Sequence, residues 1–336
     1  MGYHGRQEHD VIGIGNAIVD IIAHCDDAFL SRHDQRKGSM QLVDQAAVAK
    51  LYAAMGPAVE ISGGSAANTM AGIASFGGKA GFIGKVARDE FGDVFGHDIR
   101  SAGVTFTTPP APEGSDPTGR CLILVTPDGQ RTMNTFLGVS PQLGGGEIDA
   151  ELIASAKIVY LEGYLFDRPE AKAAFRQAAE IAARAKRQVA LTLSDPFCVD
   201  RHRGEFLELI RGSVDILFAN EAEISSLFRA NTFEEAASRA QANTKLAVLT
   251  RSEQGSVILS EGKRSAVPAA PVAKVVDTTG AGDLYAAGFL YGLARGLGLE
   301  AAGRLGSLAA AEIISHLGAR PEVDLRNLAK SRGLLA

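Results

Sequence analysis

Asp277-Thr278-Thr279-Gly280-Ala281-Gly282-Asp283 is followed by Leu284–Arg295, in which Ala286, Phe289, Leu290 and Leu293 recur at helical spacing. A helix is predicted to begin near Gly282. Small residues ahead of a helix N-terminus let backbone N–H groups approach an anion, and the helix dipole favours negative charge there. Asp283 sits at that terminus, where a carboxylate is stabilised as the ion and can take a proton from a hydroxyl. An ordinary glycine-rich turn with an Asp cap would use the same residues. The segment nevertheless holds both requirements of phosphoryl transfer: donors for phosphate charge, and a base beside them.

More than 200 residues upstream, Gly63-Gly64-Ser65-Ala66-Ala67-Asn68 precedes a second helical pattern, with Ala66, Met70, Ile73 and Ala74 on one face. Paired glycines admit a ligand close to the backbone, and Asn68 offers a donor and an acceptor to sugar hydroxyls. Between the two segments, Asn220-Glu221-Ala222-Glu223 follows the apolar run 215–219. Polar groups just past the C-terminal end of a parallel strand lie where α/β sheets bind ligands. Glu223 could hold the water shell of Mg²⁺, or simply open a solvated helix.

Short apolar runs at 11–15, 80–84, 158–161, 189–193, 215–219, 246–250 and 256–259 read as buried strands. Over 169–186, Ala171, Phe175, Ala178, Ala182 and Ala185 form one helical stripe. Strands apolar on both faces and separated by helices predict an α/β fold with a mostly parallel sheet covered on both sides. Residues 118–126 and 130–137, joined by Pro127-Asp128-Gly129, read instead as a hairpin. With 37–43 and the segment near Thr105, they predict a small antiparallel sheet. It would serve as a lid, unless it merely extends the edge of the main one. The whole chain is expected to form a single domain, its lid built from segments near 16–24, 37–44 and 104–138.

Composition narrows the function. The 336 residues are 46% hydrophobic and 22% charged, with a formal net charge of -5, so no basic footprint argues for nucleic acid. Cys25, Cys121 and Cys198 are odd in number and widely spaced, which suits reduced thiols. MGYHGRQEHD lacks the apolar core of a signal peptide, and no membrane-length apolar run occurs. A cytoplasmic protein, monomer or homodimer, is expected. Two look-alike motifs fail. Gly13-Ile14-Gly15-Asn16-Ala17-Ile18 lacks the third small residue of a dinucleotide fingerprint, and Gly72–Ala80 has the wrong spacing for a P-loop.

The Gly63–Asn68 and Asp277–Asp283 segments, in this order, resemble the two signatures of the PfkB family of ribokinase-like kinases, and Asn220-x-x-Glu223 resembles a third element. The likeness runs from about Val11 to about Gly318. It implies a three-layer αβα ribokinase-like domain with a small β lid, ATP and Mg²⁺, Asp283 as general base, and an anion hole at Gly280, Ala281 and Gly282. It further implies nucleotide contacts at Asn220, Thr250, Gly255 and Thr279, with Glu223 on Mg²⁺ through water. A monovalent cation such as K⁺ is implied near Asp277, with backbone groups around that residue as ligands.

Within the family the chain looks most like the adenosine kinases. Gly15-Asn16-Ala17-Ile18-Val19-Asp20 matches their N-terminal pattern and implies that Asp20 takes ribose hydroxyls, with Gly63, Gly64, Ser65 and Asn68. Leu193-Ser194-Asp195-Pro196-Phe197 resembles the segment whose Phe stacks on the base, although Asp195 stands where a small residue is usual. Arg131 matches a basic residue that covers the transferring phosphate. Met40, Leu42, Leu137 and Phe197 would form an apolar base pocket, or else pack the lid and core. The expected reaction is 5′-phosphorylation of a ribonucleoside, with a free-sugar kinase and a non-catalytic binding protein as alternatives.

Overall fold

The computed structural model describes residues 8–336; the first seven residues of the N-terminal stretch read above lie outside the described residues. Nine strands form the main sheet: β1 (His9–Ile14), β5 (Ala80–Ile83), β6 (Val104–Phe106), β9 (Ala156–Glu162), β10 (Gln188–Thr192), β11 (Ile216–Asn220), β12 (Leu246–Thr250), β13 (Ser256–Ser260) and β14 (Lys263–Val267). Their order is β14-β13-β12-β11-β10-β9-β1-β5-β6. From β6 to β12 every pairing is parallel, and β13 and β14 add an antiparallel edge.

Alternation along these strands sends side chains into two separate cores. Val11, Ile158 and Tyr160 pack with Met70 and Ile73 of helix Ser65–Ser75, and with Leu284 and Phe289 of helix Ala281–Ala294. Ile12, Val159 and Leu161 face the other way, onto Phe175 and Ala178 of helix Pro169–Arg184 and Phe206 of helix Pro196–Ser213. Covering both faces with helices is what makes the parallel strands uniformly apolar. The three layers follow from that pattern.

Five strands form the second sheet, β2 (Ile18–His24), β3 (Met40–Leu42), β4 (Ala58–Gly63), β7 (Gly119–Val125) and β8 (Arg131–Phe136), in the order β3-β8-β7-β2-β4. Here the expectations need correcting. The segment near Thr105 is β6, paired parallel with β5 at the edge of the main sheet, because its residues complete the apolar layer around Phe82 and Phe95. Nor is the small sheet purely antiparallel, since β2 runs parallel to β7 and β3 to β8. Strand β4, unforeseen, pairs antiparallel with β2.

One face of the small sheet carries Val19, Ile21, Leu122 and Leu124 against Val48 and Leu51 of helix Gln45–Ala54. The other carries Ile18, Asp20, Ile22, Cys121, Ile123 and Met133, with Leu317 packed against them from beyond helix Leu299–Ile313. Registry sets Ile61, Asp20, Cys121, Thr135 and Leu42 in one row across it. No helix among the described residues is long and apolar enough to cross a membrane.

Candidate active site

Parallel strands present their C-terminal ends together, and the signature residues collect there. Gly280 caps helix Ala281–Ala294 in the left-handed region, φ 80° and ψ -1°, a conformation that glycine adopts without steric cost. The Ala281 amide donates to Thr278 O and the Thr279 amide to Asp277 Oδ1, so one of the three expected anion-hole amides, that of Ala281, is turned inward. Among the described residues the Gly280, Gly282 and Asp283 amides have no protein acceptor and stay available to an anion.

Asp283 is held from the other signature. Ser65 Oγ donates to its Oδ1 at 2.6 Å and Asn68 Nδ2 to its Oδ2 at 3.0 Å, while Thr69 Oγ1 donates to its backbone oxygen at 3.2 Å. Desolvation pushes its carboxyl above the usual carboxylate range, against the pull of those two hydrogen bonds and of the Arg320 guanidinium. Asn68 is buried, and its Oδ1 has no partner. At Gly64, φ 101°, a Cβ would lie 2.1 Å from Asn16 O, so the turn that delivers Ser65 and Asn68 requires glycine.

Asp20 comes from β2, with Gly63 of β4 running alongside. Burial, and Asp283 nearby, raise its carboxyl to about 7, with Arg320 and Arg131 opposing. Arg131 opens β8 and reaches the main body, where Nη1 lies 2.7 Å from Asp277 Oδ2. The contact is an ion pair rather than an aligned hydrogen bond, and the buried Nε and Nη2 also lack partners. Oδ2 of Asp277 accepts in addition from Gly318 N at 3.2 Å.

Asn220 and Glu223 form a capping box at helix Glu221–Phe228. Asn220 N donates to Glu223 Oε2 at 2.9 Å, Asn220 Nδ2 to Oε1 at 2.7 Å, and Glu223 N to Asn220 Oδ1 at 2.8 Å. Burial pushes the Glu223 carboxyl up to about 7, with Asp195 and Asp283 adding to the rise. Thr250 is the registry partner of Asn220, and Gly255 leads into β13 in a positive-φ turn.

The apolar candidates stand apart from the core. Phe197 is 73% exposed at the start of its helix, Met40 is 52% and Leu42 64% exposed on β3, and Leu137 is half-buried. Packing of Met40, Leu42 or Phe197 into the core is thereby excluded.

Sequence reading missed two groups. Glu162 ends β9, and its carboxylate accepts from Asn16 Nδ2 at 2.7 Å, Asn16 N at 3.3 Å and Ala66 N at 2.8 Å, tying the β1–β2 crossing to the Ser65 helix. Burial raises it to about 7. Its place just past an apolar run is the same signal that singled out Asn220. Arg320, a lone arginine in an irregular segment, had no such signal.

The family model described as pfkB family carbohydrate kinase matches residues 54–325. A curated adenosine kinase from Saccharomyces cerevisiae is 27% identical, over 92% of this chain and 95% of its own. Two solved structures are each 50% identical. A probable sugar kinase from Rhizobium etli has a TM-score of 0.90 over 98% of this chain and 100% of that one. Adenosine kinase from Sinorhizobium meliloti has a TM-score of 0.89 over 97% and 99%.

Proposed function

This chain belongs to the pfkB family of carbohydrate kinases and is an ATP-dependent kinase, and on that premise we propose that it phosphorylates the 5′-hydroxyl of a ribonucleoside, adenosine first. The observation that carries the proposal is the exposed apolar set Met40, Leu42 and Phe197. Met40 and Leu42 lie on the sheet face that also presents Asp20. A purine offers such side chains a flat apolar partner, and a free sugar offers none.

In this reading Asp20, Gly63, Gly64 and Asn68 bind the ribose, the unpartnered Asn68 Oδ1 accepting from a hydroxyl. Ser65 and Asn68 aim Asp283, which removes the proton from the attacking 5′-hydroxyl as its oxygen bonds to the γ-phosphorus and the bond to ADP breaks. A carboxyl raised by burial is a better proton acceptor near neutral pH than an exposed one. The Gly280 and Gly282 amides take up developing phosphate charge, with Ala281 supplying backbone rather than a free donor. Arg131, with N–H groups lacking aligned acceptors, covers the phosphates as the small sheet closes. Asn220, Thr250, Gly255 and Thr279 line the nucleotide.

No three His, Cys, Asp or Glu side chains cluster as a metal cage among the described residues. That suits Mg²⁺ held chiefly by phosphates and water, with the desolvated Glu223 carboxylate orienting the water shell. Bound there, Mg²⁺ would neutralise charge on the β- and γ-phosphates. The Asp277 carboxylate is already held by Arg131, Gly318 N and Thr279 N, so a monovalent cation here would be held by the backbone groups around it. No step is assigned to potassium.

The test is ATP consumption across nucleosides and free sugars. Adenosine is expected to give the highest kcat/KM. A free sugar outcompeting every nucleoside would replace this acceptor with the sugar.

A further inference from the structure

Past helix Leu299–Ile313 the chain returns beneath the Gly63–Gly64 turn and places a guanidinium there. Arg320 Nε and Nη2 donate to Ser62 O at 3.1 and 2.7 Å, Nη2 also reaches Ser62 Oγ at 2.7 Å, and Nη1 donates to Ala67 O at 2.7 Å. Ser62 precedes the turn, and Ala67 lies in the first turn of the helix after it. One planar group thus ties both flanks, which the rigid fork of arginine allows and a lysine ammonium does not. Behind it, Asp98 Oδ2 accepts from Ser62 N at 2.8 Å and Ser62 Oγ at 2.5 Å.

The charges in front are mostly acidic. Asp283 is faced by Asp20 from β2, Glu162 and Tyr160 from β9, Tyr164 just beyond β9, and Glu223 from helix Glu221–Phe228. Arg131, the cation on β8, is engaged by Asp277. Arg320 is the cation that acts on both Asp20 and Asp283. Burial draws its own guanidinium down to about 10, with Asp98, Asp20 and Asp283 resisting. Neighbouring carboxylates without a cation tend to keep a proton, and a base that keeps its proton cannot accept one.

We propose that Arg320 is a positioning residue for phosphoryl transfer: it clamps Ser62 and Ala67 so that Ser65 and Asn68 stay on Asp283, and its charge offsets the carboxylates of Asp20 and Asp283. The inference rests on Asp283 being the base.

The experiment compares Arg320→Gln, Arg320→Lys and Asp283→Asn in the full chain with ATP and the best acceptor of the wild type, recording kcat/KM against pH. Arg320→Gln is expected to move the acidic limb upward by about one pH unit, the low end for losing an opposite charge nearby. Arg320→Lys keeps the charge but not the fork, so its limb stays while the plateau falls. An unmoved limb in folded Arg320→Gln overturns the proposal even if the rate drops, since loose packing alone lowers rate without shifting the limb. If Arg320→Gln does not fold, Arg320→Lys carries the test, and a plateau equal to that of the wild type overturns the proposal. Near wild-type turnover in Asp283→Asn removes the base itself; lost turnover there with an unmoved Arg320→Gln limb removes only the role of Arg320.

Discussion

Arg131 and Asp277 join the small sheet to the helix start that carries Asp283. The guanidinium that opens β8 lies 2.7 Å from the carboxylate ahead of helix Ala281–Ala294, with the two side chains only 7% and 5% exposed. Neither partner is near the other in sequence, and each flanks a segment proposed to handle phosphate.

Truncating Arg131 is therefore expected to act twice. Arg131→Ala leaves a buried carboxylate without its counter-ion, a loss of about 3–5 kcal/mol for such pairs, and Asp277→Asn in the same chain should return part of it. Denaturant midpoints of the single and double variants measure this. In kinetics, kcat should fall more than acceptor affinity, as for an interaction made chiefly in the transition state. A rise in acceptor KM at constant kcat would place Arg131 in ground-state binding instead.

Asp283→Asn keeps a similar shape but cannot take a proton. We expect kcat to fall by at least ~10²-fold, the low end for losing a positioned base. Acceptor binding, followed by calorimetry, should persist. Turnover close to wild type would exclude Asp283 as the base.

Discrimination between adenosine and ribose must come from the base, because the ribose contacts are common to both. Phe197→Ala is expected to lower kcat/KM for adenosine by about 5- to 150-fold, the equivalent of roughly 1–3 kcal/mol of stacking. Slow ribose phosphorylation should change little. Equal losses for both acceptors would take Phe197 out of base recognition.

Glu162 links the site to stability. Its carboxyl is raised from 4.5 to about 7 in the fold. Between these values the folded state binds more protons than the unfolded one. Its contribution is thus complete below pH 4.5 and lost as pH rises through about 7. Glu162→Gln removes that titration. The fall in unfolding free energy between pH 5 and pH 8 should shrink by roughly 1–3 kcal/mol, equivalent to one or two pKa units. An unchanged slope in chemical denaturation would show that Glu162 is ionised throughout.

Hydrophobic periodicity and the two glycine signatures were enough to foresee the parallel sheet, its helical layers, the helix start beside Asp283 and the β7–β8 hairpin. Those features rest on short-range rules: a strand buried on both faces is apolar throughout, and a helix start near an anion is built of small residues. Local pattern could not assign β6 to its sheet, because an apolar Val104–Phe106 fits either one and its partner β5 lies about 20 residues upstream. Nor could it place Arg320, whose acceptors Ser62 and Ala67 are more than 250 residues away in the chain. The raised carboxyls of Asp20, Glu162 and Glu223 belong to the same class. A side chain carries its charge in the sequence, but desolvation and neighbouring charge exist only once distant segments pack around it. Residue types at the site were therefore written in the chain, whereas the partners that aim and tune them were decided by the tertiary structure.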